Sequence, residues 1–281
     1  MSIQLNLSVI SVAVSSTWRK SKPFILQDTF LYPLLGFTGV ILLWWAVALV
    51  RHEMMPTPPE ALMSNLDLII NPFYRRGPGD LGLGWLLLAS LTRVCIGFLL
   101  GAIVAVPLGF LIGISRPAWL VFNPIIQVFK PVSPLVWLPI ALAIFNAAEP
   151  SAIFVIFITS LWSTIINTAE GVSNVPKDYL EVAQVLEMPR WKQLVKIVLP
   201  ASLPYIFTGL RISLGIAWLV IVAVEMLTGG IGIGFFVWDE WNRLNVSSVF
   251  LAVFVIGITG LILDYALASL QMAVTHRPAK R

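Results

Sequence analysis

Residues 176–204 read PKDYLEVAQVLEMPRWKQLVKIVLPASLP, from Pro176 to Pro204. Long apolar runs lie on either side. This stretch instead carries Lys177, Asp178, Glu181, Glu187, Arg190, Lys192 and Lys196 among spaced apolar residues. Tyr179, Leu180, Ala183 and Leu186 recur at helical spacing, which predicts a short amphipathic helix. Met188-Pro189 breaks it, because the residue before a proline is driven out of the helical region. A second amphipathic run, with Trp191, Leu194, Val195 and Val198 on one side, stops at Leu199-Pro200. Two short helices joined by a sharp bend at a membrane surface make a rigid elbow that a partner can grip. The bland alternative is an interfacial helix with no partner.

The composition outside the elbow is that of a membrane protein. The 281 residues are 58% hydrophobic and 11% charged, whereas soluble domains carry about 25% charge and about 45–50% apolar residues. Cys95 lies alone in an apolar run and belongs to no disulfide or metal cluster. The net charge of +4 is small, and nothing in its placement suggests nucleic acid.

Six spans are expected, in an all-α membrane bundle. Residues 1–29 form an N-terminal segment, 30–272 the membrane domain with the coupling segment 176–204, and 273–281 a tail. Tyr32–Val50 reads as an uncleaved first span, close to the roughly 20 residues a bilayer requires. A connector over 51–84 holds a surface helix from Pro59 to Asn71. The second span, about 85–114, places Gly97, Gly101, Ala105, Gly109 and Gly113 on one face, a stripe that admits a close helix neighbour. The third, 118–146, is interrupted at Lys130-Pro131-Val132-Ser133-Pro134. The fourth lies at 152–167, the fifth at about 204–227 and the sixth at about 248–270. Gly229, Gly230, Gly232 and Gly234 read as a re-entrant or surface turn, since no Lys-Ser/Thr follows them as a phosphate loop requires.

Six spans put both ends on one side. Arg19, Lys20, Lys22, Arg116, Lys177, Arg190, Lys192, Lys196, Arg277, Lys280 and Arg281 fall on that side, against Arg51, Arg75, Arg76 and Arg243 on the other. The excess places both termini and the elbow in the cytoplasm.

Candidate pathway residues are polar groups inside the spans. Ser160, Ser163, Thr164 and Asn167 form one stripe on the fourth span. It lines a wet path, or it hydrogen-bonds to neighbouring helices. Arg211, Trp218 and Glu225 share a face of the fifth span. A charge at mid-membrane costs at least about 2.5–3.5 kcal/mol, so Lys130 and Arg211 face a cavity or the bundle interior. Both suit a small anion; alternatively Arg211 pairs with Asp264. Arg93 reaches the outer interface on its long stem, and Glu225 meets a basic residue or acts near an outer gate. His52 and His276 lack metal-ligand spacing, no nucleophile triad can be drawn, and no Gly-x-x-x-x-Gly-Lys-Ser/Thr occurs. The chain thus reads as a transport subunit, holding neither metal, cofactor nor ATP of its own.

Glu181-Val182-Ala183, then Glu187, then Ile197-x-Leu199-Pro200 resembles the EAA loop of ABC-importer permeases, with Val182 standing for alanine and Glu187 for glycine. Met188 and Pro189 complete its bend. Ser90-Leu91-Thr92-Arg93-Val94, Gly97-Phe98, Gly101 and Pro107-Leu108-Gly109 resemble the permeases for nitrate, taurine and related small anions. Nitrate and nitrite permeases are the most similar, bicarbonate permeases nearly so, sulfonate permeases less so. The resemblance implies the six-span fold of the binding-protein-dependent (type I) importers in the inner membrane. It implies a second permease copy, two cytoplasmic ATPases carrying ATP and Mg, and a periplasmic substrate-binding protein. In that arrangement Glu181, Val182, Ala183, Glu187, Met188, Pro189, Ile197, Leu199 and Pro200 couple the spans to the ATPases. A secondary transporter driven by an ion gradient is the alternative. Those folds usually carry inverted repeats, and no repeat relates the two halves of this chain.

Overall fold

A computed structural model describes residues 24–51, 55–77 and 79–275. The basic residues assigned to the two termini, and both histidines, lie outside the described residues. The chain divides into two compact units between Pro58 and Pro59. The first holds α1 (Phe24–Val50), a single apolar helix with Pro33 inside it. From Leu31 onward nearly all its large side chains are exposed, a surface that only lipid or another apolar partner can cover.

The second unit follows in the order α2 (Pro58–Met63), α3 (Leu66–Ile70), β1 (Arg75–Gly77), β2 (Asp80–Leu81), α4 (Leu83–Ile114), α5 (Arg116–Phe129), a 3₁₀ turn (Pro134–Val136), α6 (Trp137–Phe145), α7 (Ala148–Ser173), α8 (Lys177–Val185), α9 (Arg190–Gln193), a π-helical turn (Leu194–Val198), α10 (Leu199–Thr228), α11 (Ile233–Asn242) and α12 (Val246–Thr275). The strands form one short antiparallel hairpin. Among the described residues, 5 helical stretches are long and apolar enough to cross a membrane. A sixth exists if α5 and the Pro134–Phe145 stretch count as one span, and those two meet at 86°. Pro131 and Pro134 lack the N–H groups that would carry a helix through that break.

Helix α7 is the axis of the unit. In its most apolar stretch 67% of residues are buried, against 22% for α12. The glycine stripe of α4 lies along α7. A Cβ on Gly97 would stand 2.7 Å from Cβ of Ile156, and one on Gly109 would stand 2.6 Å from the Ile165 carbonyl oxygen. Helix α10 closes on another side of α7, where a Cβ on Gly209 would meet Cβ of Asn167 at 2.8 Å. Close backbone approach converts the small-residue stripe into dispersion contact. Val94, Val155, Ile156, Ala217 and Ile221 form the centre of the main apolar cluster.

The helices α1 and α7 are longer than the spans expected at Tyr32–Val50 and 152–167, and two further boundaries differ in kind. The helix expected over Pro59–Asn71 is split in two. Asn65 Nδ2 donates to the Ala61 carbonyl at 2.8 Å, a side-chain bond that competes with the backbone ladder. The helical run also does not stop at Leu199-Pro200; Arg190–Thr228 is continuous. The π turn places the Leu199 N–H on the Leu194 carbonyl. This wider turn accommodates Pro200, which cannot donate to Lys196 and would otherwise crowd its carbonyl.

Candidate functional site

The elbow is built from α8, a tight turn and α9. Of α8 only Ala183 is buried. Leu180, Leu194 and Ile197 pack on Val172, Val175 and Val198, so the elbow is seated on the end of α7 and the start of the long helix. Tyr179, Val182, Val185 and Leu186 remain exposed, as does Trp191. The turn after α8 is a Schellman motif. The Glu187 N–H donates to the Gln184 carbonyl at 2.9 Å and the Met188 N–H to the Ala183 carbonyl at 3.0 Å. Glu187 has φ 50°, the left-handed conformation usually given to glycine. The bend is therefore made one residue before Met188-Pro189, and half-buried Met188 and exposed Pro189 lead out of it. Gln193 Nε2 donates to the Met188 carbonyl at 2.8 Å and ties the second arm to the turn. Glu181, Glu187, Lys177 and Arg190 have no ion-pair partner among the described residues. Leu199 is half-buried and Pro200 exposed. A cavity of about 450 Å³ opens between the elbow and the ends of α4 and α7.

The polar stripe of α7 is turned into helix contacts. Ser160 Oγ donates to the Ile156 carbonyl at 2.7 Å, and Asn167 Nδ2 to the Ser163 carbonyl at 2.8 Å. Thr164 Oγ1 and Ser213 Oγ lie 2.7 Å apart, and Ser213 in turn donates to the Ser160 carbonyl at 2.9 Å. Ser213, on α10, carries no local signal in the sequence, because its partner lies 49 residues away, beyond any local periodicity. Arg211 grips Asp264 with a fork, Nε to Oδ1 at 2.9 Å and Nη2 to Oδ2 at 2.7 Å. Trp218 is buried, and its Nε1 donates to the Ile256 carbonyl at 3.0 Å. Arg211 and Trp218 thus both tie α10 to α12. Lys130 is exposed at the bend between α5 and α6.

A second polar centre sits at the end of the unit opposite the elbow. Glu225 is only 3% exposed. Its carboxylate accepts from Ser90 Oγ at 2.8 Å, Arg93 Nη1 at 2.9 Å and the Gly234 N–H at 3.0 Å. Ser90 Oγ also accepts the Ile233 N–H at 3.0 Å, and Arg93 donates to the Ile231 carbonyl at 2.6 Å. Half-buried Arg93 pairs with the buried Glu225 across 132 residues of sequence, and its Nε stands 3.8 Å from the exposed Glu149. The glycines explain how the loop reaches it. A Cβ on Gly232 would stand 2.2 Å from the Glu225 carboxyl carbon. The glycine cluster is a turn that wraps a carboxylate and leads into α11.

Residues 77–278 match the model of the family described as the binding-protein-dependent transport system inner membrane component. The chain belongs to that family. This permease is 45% identical over 264 residues to a nitrate import permease protein of Synechocystis, covering 93% of this chain and 96% of the relative. It is 46% identical over 247 residues to a bicarbonate transport system permease protein of Synechococcus elongatus, covering 87% and 89%. The fold is that of the type I importer permeases. A chain of the inward-facing MetNI methionine ABC transporter superposes with a TM-score of 0.60 at 17% identity, over 69% of this permease and 98% of that chain. A chain of an amino acid ABC transporter gives 0.56 at 16% identity, over 78% and 97%. The permease is an integral multi-pass membrane protein and a transport component rather than an enzyme, with the ATPase on partner subunits.

Proposed function

We propose that this permease forms the membrane pathway of an ATP-driven importer for nitrate or nitrite. Two copies stand in the inner membrane with both termini in the cytoplasm. Two ATPases sit below and a periplasmic binding protein delivers the anion from outside. The observation that carries the coupling role is the elbow. Exposed Tyr179, Val182, Val185 and Leu186 stand beside the carboxylates of Glu181 and Glu187, which have no ion-pair partner among the described residues, on a turn whose geometry two hydrogen bonds fix. Such a surface fits an apolar groove with a basic rim. The continuous helix Arg190–Thr228 then carries movement of the elbow directly into the bundle. ATP-driven closure of the ATPases turns the spans outward, and hydrolysis returns them.

Nitrate comes from the Synechocystis relative, which matches nearly end to end. Bicarbonate is the second reading, because a bicarbonate permease matches at the same level of identity. Both are small, planar oxyanions with one negative charge. Uptake of labelled nitrate, nitrite and bicarbonate in one host lacking its own carriers separates them. Uptake of bicarbonate alone would reject the nitrate assignment.

A further inference from the structure

The bend between α5 and α6 holds donors with nothing to donate to. The Nε1 atoms of Trp137 and Trp162 are both buried and have no hydrogen-bond partner. Their rings lie against Phe129, Trp162 stacked at 5.5 Å and 11°, Trp137 tilted at 6.0 Å. Phe129 and Trp137 flank the break itself, so the three rings clasp it. Trp162 stands near the middle of α7, which places the cluster at mid-depth in the bundle. Lys130 follows Phe129 and has no ion-pair partner among the described residues.

An indole N–H can only donate. Leaving one buried and unpaired is costly, and two in one cluster call for an acceptor present in another stage of the cycle. The ammonium of Lys130, next in sequence to Phe129, asks that the acceptor be negative. Broken helices at mid-membrane are where backbone and side-chain donors can meet a permeating ion.

We propose that this bend is a stopping place for the permeating oxyanion, with Trp137 Nε1, Trp162 Nε1 and Lys130 Nζ as its donors. The proposal rests on the importer reading above and adds a residue set to it. A planar anion with three oxygens accepts from all three donors, and the flat rings match its shape. The two indole N–H groups are covered here; a change of tilt at the bend uncovers them as the pathway turns over.

The test uses the whole importer, with its ATPases and binding protein, in liposomes, and reads anions moved per ATP hydrolysed. The variants are Trp137→Phe with Trp162→Phe, which keep the rings and remove the N–H groups, and Lys130→Gln. Each is expected to lower the ratio about tenfold for labelled nitrate while binding-protein-stimulated ATP hydrolysis stays within twofold. An unchanged ratio overturns the proposal, whether uptake is kept or uptake and hydrolysis fall together as in a purely structural defect. Failure of the importer reading shows separately, because the unaltered complex then moves none of nitrate, nitrite and bicarbonate.

Discussion

Substituting Glu187 tests whether the elbow's geometry depends on one backbone conformation. Glu187 holds φ 50° inside the Schellman turn. A side chain in that conformation costs roughly 1–2 kcal/mol relative to glycine. Glycine also gains freedom in the unfolded chain, worth about 0.4–1 kcal/mol. Glu187→Gly should therefore leave the turn as firm or firmer by up to about 1.6 kcal/mol. Glu187→Val is the opposite case, because a β-branched residue is a true outlier there. It should loosen the turn by about 1–3 kcal/mol. The assay is hydrogen exchange at the Met188 amide, which bonds the Ala183 carbonyl at 3.0 Å. Every 1.4 kcal/mol is about tenfold in an equilibrium constant, so valine should speed exchange by about 5- to 150-fold and glycine should leave it equal or slower. Exchange that is the same in valine and glycine variants would refute the claim that the left-handed residue sets the bend. The same pair then reads coupling: valine should lower ATPase-linked uptake, and glycine should not.

Three further outcomes follow from the packing and the proposed docking. Glu181→Arg should uncouple ATP hydrolysis from uptake with the melting temperature unchanged, and normal uptake by it counts against docking through this face. Arg93→Ala leaves the buried Glu225 carboxylate without its cation, at a cost of about 3–5 kcal/mol, and Glu225→Ala should cost less, because Arg93 keeps Glu149 at 3.8 Å. Changing both should cost less than the sum of the two, as thermal unfolding in detergent will show. Gly97→Leu should separate α4 from α7, because even a Cβ there would stand 2.7 Å from Ile156; a variant that assembles with wild-type stability contradicts the packing described.

Much of the molecule was legible in the chain because it follows from local rules. The apolar runs, the glycine stripe of α4, the proline break after Phe129 and the polar elbow are each set by residues within a few turns of one another. The candidate pathway was less legible. The stripe on α7 announced polarity at a fixed spacing, yet only packing assigned Thr164 to Ser213 and turned Asn167 back on its own helix. Arg211 and Arg93 look alike in sequence, each a lone cation in an apolar run. The fold gives them different partners: Asp264 on α12 for Arg211, and the buried Glu225 for Arg93.

By itself the sequence determined a membrane-embedded helical chain with a charged elbow and an interrupted span, because hydropathy and proline chemistry act along the backbone. Only the tertiary structure decided which buried charges are paired, which donors are left open at the bend, and that Glu187 takes the left-handed turn. Those outcomes depend on groups brought together across distant stretches of chain, or on a backbone angle that only the seated elbow fixes. No spacing within the sequence encodes them.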